Sequence, residues 1–226
     1  MTRSFRAALL AAATLLPALP ASAQEPVPAL PPVLMEEPIG PYVIDARGVW
    51  ARFKQDPNIA APLAVPASEL PTRGYGLAVG AHVYPVRTRN FALGLGADLL
   101  LRARASRTIE PVTEGGPEGP TVLTRMTAFS PQVSLNFGKR DGWSYISGGY
   151  GEASFTAELE DLPVGDADGS PSALNYGGGA RWFAKKHLAF TFDVRFYSIR
   201  AQEATVTRPA YPAMRLMVLS AGISFR

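Results

Sequence analysis

The sequence predicts an all-β fold, an eight-stranded antiparallel up-and-down transmembrane β-barrel, on three observations. Eight segments of roughly a dozen residues alternate large apolar residues with small or polar ones, the signature of strands tilted across a bilayer. They lie near 42–53, 74–85, 91–103, 124–138, 143–156, 173–184, 188–198 and 214–225. The connections between them alternate short and long, and the chain opens with an export signal.

That signal has three parts: Arg3 and Arg6, the apolar run Ala7 to Leu16, and Ala21-Ser22-Ala23 before Gln24. It reads as a secretory peptide spanning 1–23, with cleavage expected between Ala23 and Gln24. The apolar run is broken at Pro17 and Pro20, too early for a helix that needs about 20 apolar residues to cross a bilayer. Without those 23 residues the 22 basic and 19 acidic side chains become 20 and 19. The exported chain is nearly neutral and holds no dense Lys/Arg run, so nucleic acid is not an expected partner. It contains no Cys, which excludes disulfides and thiolate metal sites and leaves packing or lipid to supply stability. Residues 24–41 are Pro-rich, carry scattered acids and lack apolar periodicity; they read as a periplasmic-side linker into a barrel spanning 42–226.

The first strand carries Asp45 and Arg47 on one face, and the second places Gly76 and Gly80 inward. In the third, Phe91, Leu93, Leu95, Ala97, Leu99 and Leu101 share one face, against Ala92, Gly94, Gly96, Asp98 and Arg102. One face suits lipid and the other a narrow interior. The fourth and fifth strands follow the same alternation across the tight turn Lys139 to Gly142. The sixth puts Gly177 and Gly179 inward, where glycines make room for bulky residues opposite. The seventh sets Leu188, Phe190, Phe192, Val194 and Phe196 outward against Asp193, Arg195 and Tyr197, and the eighth sets Met217, Leu219, Ala221, Ile223 and Phe225 outward. The connections 85–90, 139–142 and 185–187 are tight and polar, whereas 54–73, 104–123, 157–172 and 199–213 are long and rich in Pro, Gly and acids. Three short turns and four long loops fit a barrel with both ends in the periplasm. No strict repeat of 20 to 50 residues and no apolar run of transmembrane-helix length follows residue 23.

A soluble lipocalin-type barrel would reverse the polarity, apolar face inward. Against it, the charged residues share a face with the glycines, and Tyr42, Trp50, Tyr75, Phe91, Phe137, Trp143, Tyr145 and Trp182 lie near segment ends, as interfacial girdles require.

Five runs stand out: Asp45-Ala46-Arg47-Gly48, the stretch from Ser130 to Gly138, the stretch from Asn175 to Phe183, the stretch from Phe192 to Tyr197, and Gly222-Ile223-Ser224-Phe225. Together they resemble the outer-membrane β-barrel domain family that includes the OmpA-like eight-stranded barrels. The resemblance covers about residues 42–226 and implies an outer-membrane location, with lipid and lipopolysaccharide as surroundings. It also implies recognition by the barrel-assembly machinery through a final aromatic residue. Here Phe225 is that residue, displaced by one because Arg226 follows. The peptidoglycan-binding domain of some relatives has no counterpart after the last strand.

The candidate site is an interior charge network of Asp45, Arg47, Asp98, Arg102, Arg181, Asp193 and Arg195. Inward charges near mid-strand require partners or water, so they either plug the lumen or line a narrow pore for small solutes. No enzyme is expected. His82 is placed inward near the periplasmic end of the second strand and His187 in a periplasmic turn, and neither position suits a Ser-His lipid hydrolase working at the outer leaflet. Two distant histidines make a zinc site improbable. The acidic runs 158–161 and 166–169 lack the spacing of a calcium loop, and Gly177-Gly178-Gly179 has no Lys-Ser or Lys-Thr after it to make a phosphate loop. No cofactor is implied. The long loops 54–73, 104–123, 157–172 and 199–213 are the expected surface for an extracellular ligand.

Overall fold

A computed structural model describes residues 38–111, 116–162, 170–204 and 209–226. The expected signal peptide, most of the linker and the acidic run 166–169 lie outside the described residues. Eight strands form one closed barrel in sequence order: β1 (Tyr42–Arg52), β2 (Arg73–Arg87), β3 (Phe91–Thr108), β4 (Thr121–Lys139), β5 (Gly142–Leu159), β6 (Ser172–Lys185), β7 (Leu188–Ile199) and β8 (Met214–Phe225). Every neighbouring pair is antiparallel, and β8 closes on β1 from Ile44↔Phe225 to Arg52↔Met217. Closure leaves no unpaired strand edge, so the backbone is satisfied without water.

Alternation at period two sets which residues face in. On β1, Val43, Asp45, Arg47, Val49 and Ala51 are buried, while Tyr42, Ile44, Ala46 and Gly48 are exposed. The outer wall is apolar: Ile44, Leu77, Val83, Leu95, Phe129, Val133, Ile146, Leu174, Phe190, Phe192 and Ile223 are all exposed. Leu93 and Leu219 face the same way and are half-buried.

Three residues are oriented differently from what the sequence suggested. Arg102 is exposed on the outer wall and is not part of the interior network. The register of β3 shifts between Leu100 and Ala103, a β-bulge that flips the parity of every residue beyond it. Leu99, Leu100 and Leu101 still alternate, Leu100 pointing in at 0% exposure between the exposed Leu99 and Leu101; the break comes next, where Leu101 and Arg102 are both exposed before Ala103 turns inward. Trp143 and Tyr145 are also not girdle residues, because both are buried inside the barrel. Their neighbours Ser144 and Ile146 are the outward residues of β5, so parity decides their orientation although they begin the strand.

At one end the strands are joined by tight turns, and at the other by the four long connections. Two of the expected loops are shorter than the sequence suggested, since β3 continues to Thr108, β4 begins at Thr121 and β5 continues to Leu159. The first long connection is folded. It contains a short helix α1 (Pro57–Ala60), with Asp56 capping it through a hydrogen bond from Asn58 N to Asp56 Oδ1 at 2.9 Å. Gln55 Nε2 donates to the carbonyls of Ser68 at 2.6 Å and Leu70 at 3.1 Å, pinning the segment shut. Ile59, Ala60 and Leu70 then join the barrel's interior core.

Candidate functional site: the charged belt inside the barrel

The inward residues of β1 run, from the turn end to the loop end, Val43, Asp45, Arg47, Val49 and Ala51. The whole interior is layered in that order. An aromatic layer of Ile39, Val43, Tyr84, Ala92, Trp143 and Tyr145 lies at the turn end. A larger apolar layer, including Val49, Phe53, Leu100, Met126, Phe155, Tyr211 and Leu216, fills the loop end. Between them lies a belt of charge.

Six of the seven expected residues make the belt: Asp45, Arg47, Asp98, Arg181, Asp193 and Arg195, none more than 4% exposed. Three carboxylates face three guanidinium groups, so the belt is formally neutral. Arg181 grips Asp45 with two parallel bonds, Nε to Oδ1 at 3.0 Å and Nη2 to Oδ2 at 2.5 Å. This fork geometry is what a planar guanidinium offers a carboxylate. Ser224 Oγ donates to Asp45 Oδ1 at 2.5 Å. Arg47 donates to Asp98 over the intervening strand β2 and lies 3.4 Å from Asp193 Oδ1. Arg195 holds Asp193, two residues away on the same face, through Nε to Oδ1 at 3.1 Å and Nη2 to Oδ2 at 2.9 Å.

Neutral side chains complete these pairs. Tyr145 donates to Asp193 Oδ2 at 2.8 Å and Tyr197 to Asp98 Oδ1 at 3.4 Å. Asn175 Oδ1 accepts from Arg195 Nη1 at 3.0 Å and from Gln132 Nε2 at 3.2 Å, and Ser147 accepts from Arg195 Nη2 at 3.2 Å. The Arg181 guanidinium also stacks 4.2 Å above the Tyr145 ring, a cation–π contact that offsets part of its desolvation. None of these neutral partners was singled out as a site residue in the sequence. Their signal was parity: Ser224 alternates with the outward Ile223 and Phe225, and Asn175 shares a strand face with Arg181.

Glycine supplies the space. Gly80 pairs with Asp45 on one side and Asp98 on the other. A Cβ there would lie 3.2 Å from Asp98 Oδ2 and 3.4 Å from Arg47 Nη2, so a larger residue would occupy the gap through which Arg47 reaches Asp98.

His82 is inward and 5% exposed, and neither ring nitrogen hydrogen-bonds to a described residue. His187 is exposed in the β6–β7 turn, with Nδ1 2.9 Å from the carbonyl of Arg226. Arg226 itself folds across the turn end, its guanidinium 3.7 Å above the Phe183 ring and bonded to the carbonyls of Lys186 and Arg140. Phe225 is half-exposed on the outer wall.

No family model and no curated protein sequence matches the chain. Among solved structures, the chain is similar to Neisserial surface protein A, at 11% identity and a TM-score of 0.46, with 81% of this chain and 96% of that one covered. It is also similar to the outer membrane protein OprG from Pseudomonas aeruginosa, at 10% identity and a TM-score of 0.45, covering 84% and 97%. The outer membrane protease OmpT from Escherichia coli matches at 10% identity and a TM-score of 0.40, covering 82% and 96%.

Proposed function

We propose that this chain is an exported outer-membrane barrel with a structural or surface-interaction role, its lumen closed to solutes, and that it is not an enzyme. The observation that carries the reading is the polarity of the wall. Apolar side chains such as Phe190, 62% exposed, and Ile146, 59% exposed, point outward all round, while three Asp–Arg pairings lie buried within. A water-soluble barrel would be expected to place those two sets the other way. An exposed apolar band of this kind suits the hydrocarbon region of a bilayer.

The closed-lumen part of the reading is supported by the layering. A hydrated pore would leave the belt open to water at one end, whereas apolar layers lie above and below it here. In this reading the tight turns face the periplasm and the four long connections face outward, available to an extracellular ligand. Lipid and lipopolysaccharide surround the wall, and the barrel-assembly machinery inserts the chain, with Phe225 on the last strand as its signal.

Cell fractionation combined with heat-dependent migration on detergent gels tests the location. We expect the protein in the outer-membrane fraction, with an unheated band that runs apart from the heated one. Recovery in the soluble periplasmic fraction, with a single band at both temperatures, would instead favour a lipocalin-like binding barrel.

A further inference from the structure

The outer wall is not apolar throughout. At the loop end, Arg215 of β8, Arg52 of β1, Arg73 of β2, Arg102 and Arg104 of β3 and Arg125 of β4 all project outward across five adjacent strands. The strand register sets four of them side by side in two pairs. Arg52 is directly opposite Arg73, and Arg104 is directly opposite Arg125. Like charges facing each other across a ladder destabilise it unless something neutralises them. Arg125 has a carboxylate, Glu158, at 2.7 Å. Among the described residues, the side chains of the other five make no ion pair or hydrogen bond, unlike that of Arg107 further along β3, which is held by Glu69 at 3.1 Å.

The surface around Arg52, between Arg73 and Arg215, is concave. A cleft of about 550 Å³ is lined by Trp50, Arg52, Lys54 and Arg73, and a second of about 330 Å³ by Arg52, Lys54, Arg215 and Met217. On the same wall Trp50 follows Arg52 and Tyr75 follows Arg73 toward the turn end, and Tyr75 and Leu77 are directly opposite Arg104 and Arg102. A ligand seated here would meet guanidinium groups bordered by bare apolar wall.

We propose that this arc binds the phosphorylated headgroup of a membrane lipid in the leaflet at the loop end, with its acyl chains lying on the apolar wall below. This rests on the membrane-spanning reading of the barrel and names the residues of one lipid contact within it. Guanidinium groups suit phosphate because their fork donates two bonds to its oxygens. A soluble anion would gain nothing from the apolar half of the site. A phosphoglycolipid uses both halves.

The test uses the purified, folded protein in zwitterionic detergent micelles, with bis-phosphorylated lipid A and its dephosphorylated form as probes, and binding read by native mass spectrometry or calorimetry. The wild type should prefer the phosphorylated probe. R52Q/R73Q, two exposed positions outside the interior belt, should weaken that binding about thirtyfold, from roughly fivefold for each arginine at a lipid surface. R102Q/R104Q should act in the same direction, and K185Q/K186Q at the turn end should leave binding unchanged. Equal binding of the two probes by the wild type, full binding by R52Q/R73Q, or equal loss in K185Q/K186Q would overturn the proposal while leaving a vesicle-inserted, heat-modifiable barrel intact. A wild type that stays monodisperse in buffer without detergent and does not enter vesicles would overturn the membrane reading itself.

Discussion

Asp193→Ala is expected to destabilise the folded barrel by about 3–5 kcal/mol, the range for removing one partner of a buried ion pair. Asp193 accepts two bonds from Arg195 and one from Tyr145, and lies 3.4 Å from Arg47. Without it, Arg47 still has Asp98, but Arg195 retains only the neutral oxygens of Asn175 and Ser147. A guanidinium 2% exposed is then left without a nearby counter-charge of its own. The intact pairs add little net stability, because Coulomb attraction in a low-dielectric interior is offset by a desolvation cost of similar size. Replacing both partners, as Asp193→Leu with Arg195→Met, should therefore cost much less than the single change, giving a large coupling in a double-mutant cycle. Urea unfolding in lipid vesicles, followed by the loss of the fast-migrating gel band, measures both. A single-mutant cost below about 1 kcal/mol would mean that these charges behave like a solvated surface pair.

Phe155→Ala should cost a comparable amount, about 3–5 kcal/mol, for a different reason. Phe155 is 2% exposed and packs edge-on against Phe53 and Tyr211, with both ring centroids 5.8 Å away. Phe53 leads into the folded first connection, and Tyr211 precedes β8 and hydrogen-bonds the backbone of Ala157 in both directions at 3.1 Å. Truncation removes the ring on which these two elements meet, and the closed barrel wall cannot collapse inward to fill the space. If the same unfolding assay gave a loss under about 1.5 kcal/mol, as for a conservative core swap, the loop end would be a loosely filled vestibule and not a packed core.

The eight strands and their order were readable because alternation on a closed sheet leaves a strong period-two signal over a dozen residues. Six interior charges were readable for the same reason, since Asp45 with Arg47 and Asp193 with Arg195 share a face wherever the strands begin. The failures came where strict alternation was assumed to continue or was set aside. Arg102 was lost to the bulge after Leu100, because one extra residue shifts the parity and strict alternation along the sequence does not show where. Trp143 and Tyr145 were read from their position near a strand end, although their parity opposed that of Ile146. The apolar layer at the loop end was missed in part because Ile59, Ala60, Leu70 and Tyr211, which complete it, are residues of long connections that no periodicity links to the strands. Which carboxylate meets which guanidinium depended on reach across the lumen, and register along the chain does not encode that.

Reconstituted in planar lipid bilayers, the purified protein tests the closed barrel most directly. The buried belt, with apolar layers on both sides, should give current indistinguishable from the protein-free bilayer and no stable unitary steps. Reproducible, long-lived conductance steps from the intact protein would contradict it, because ions could then cross only through a continuous column of water past Asp45, Arg47, Asp193 and Arg195.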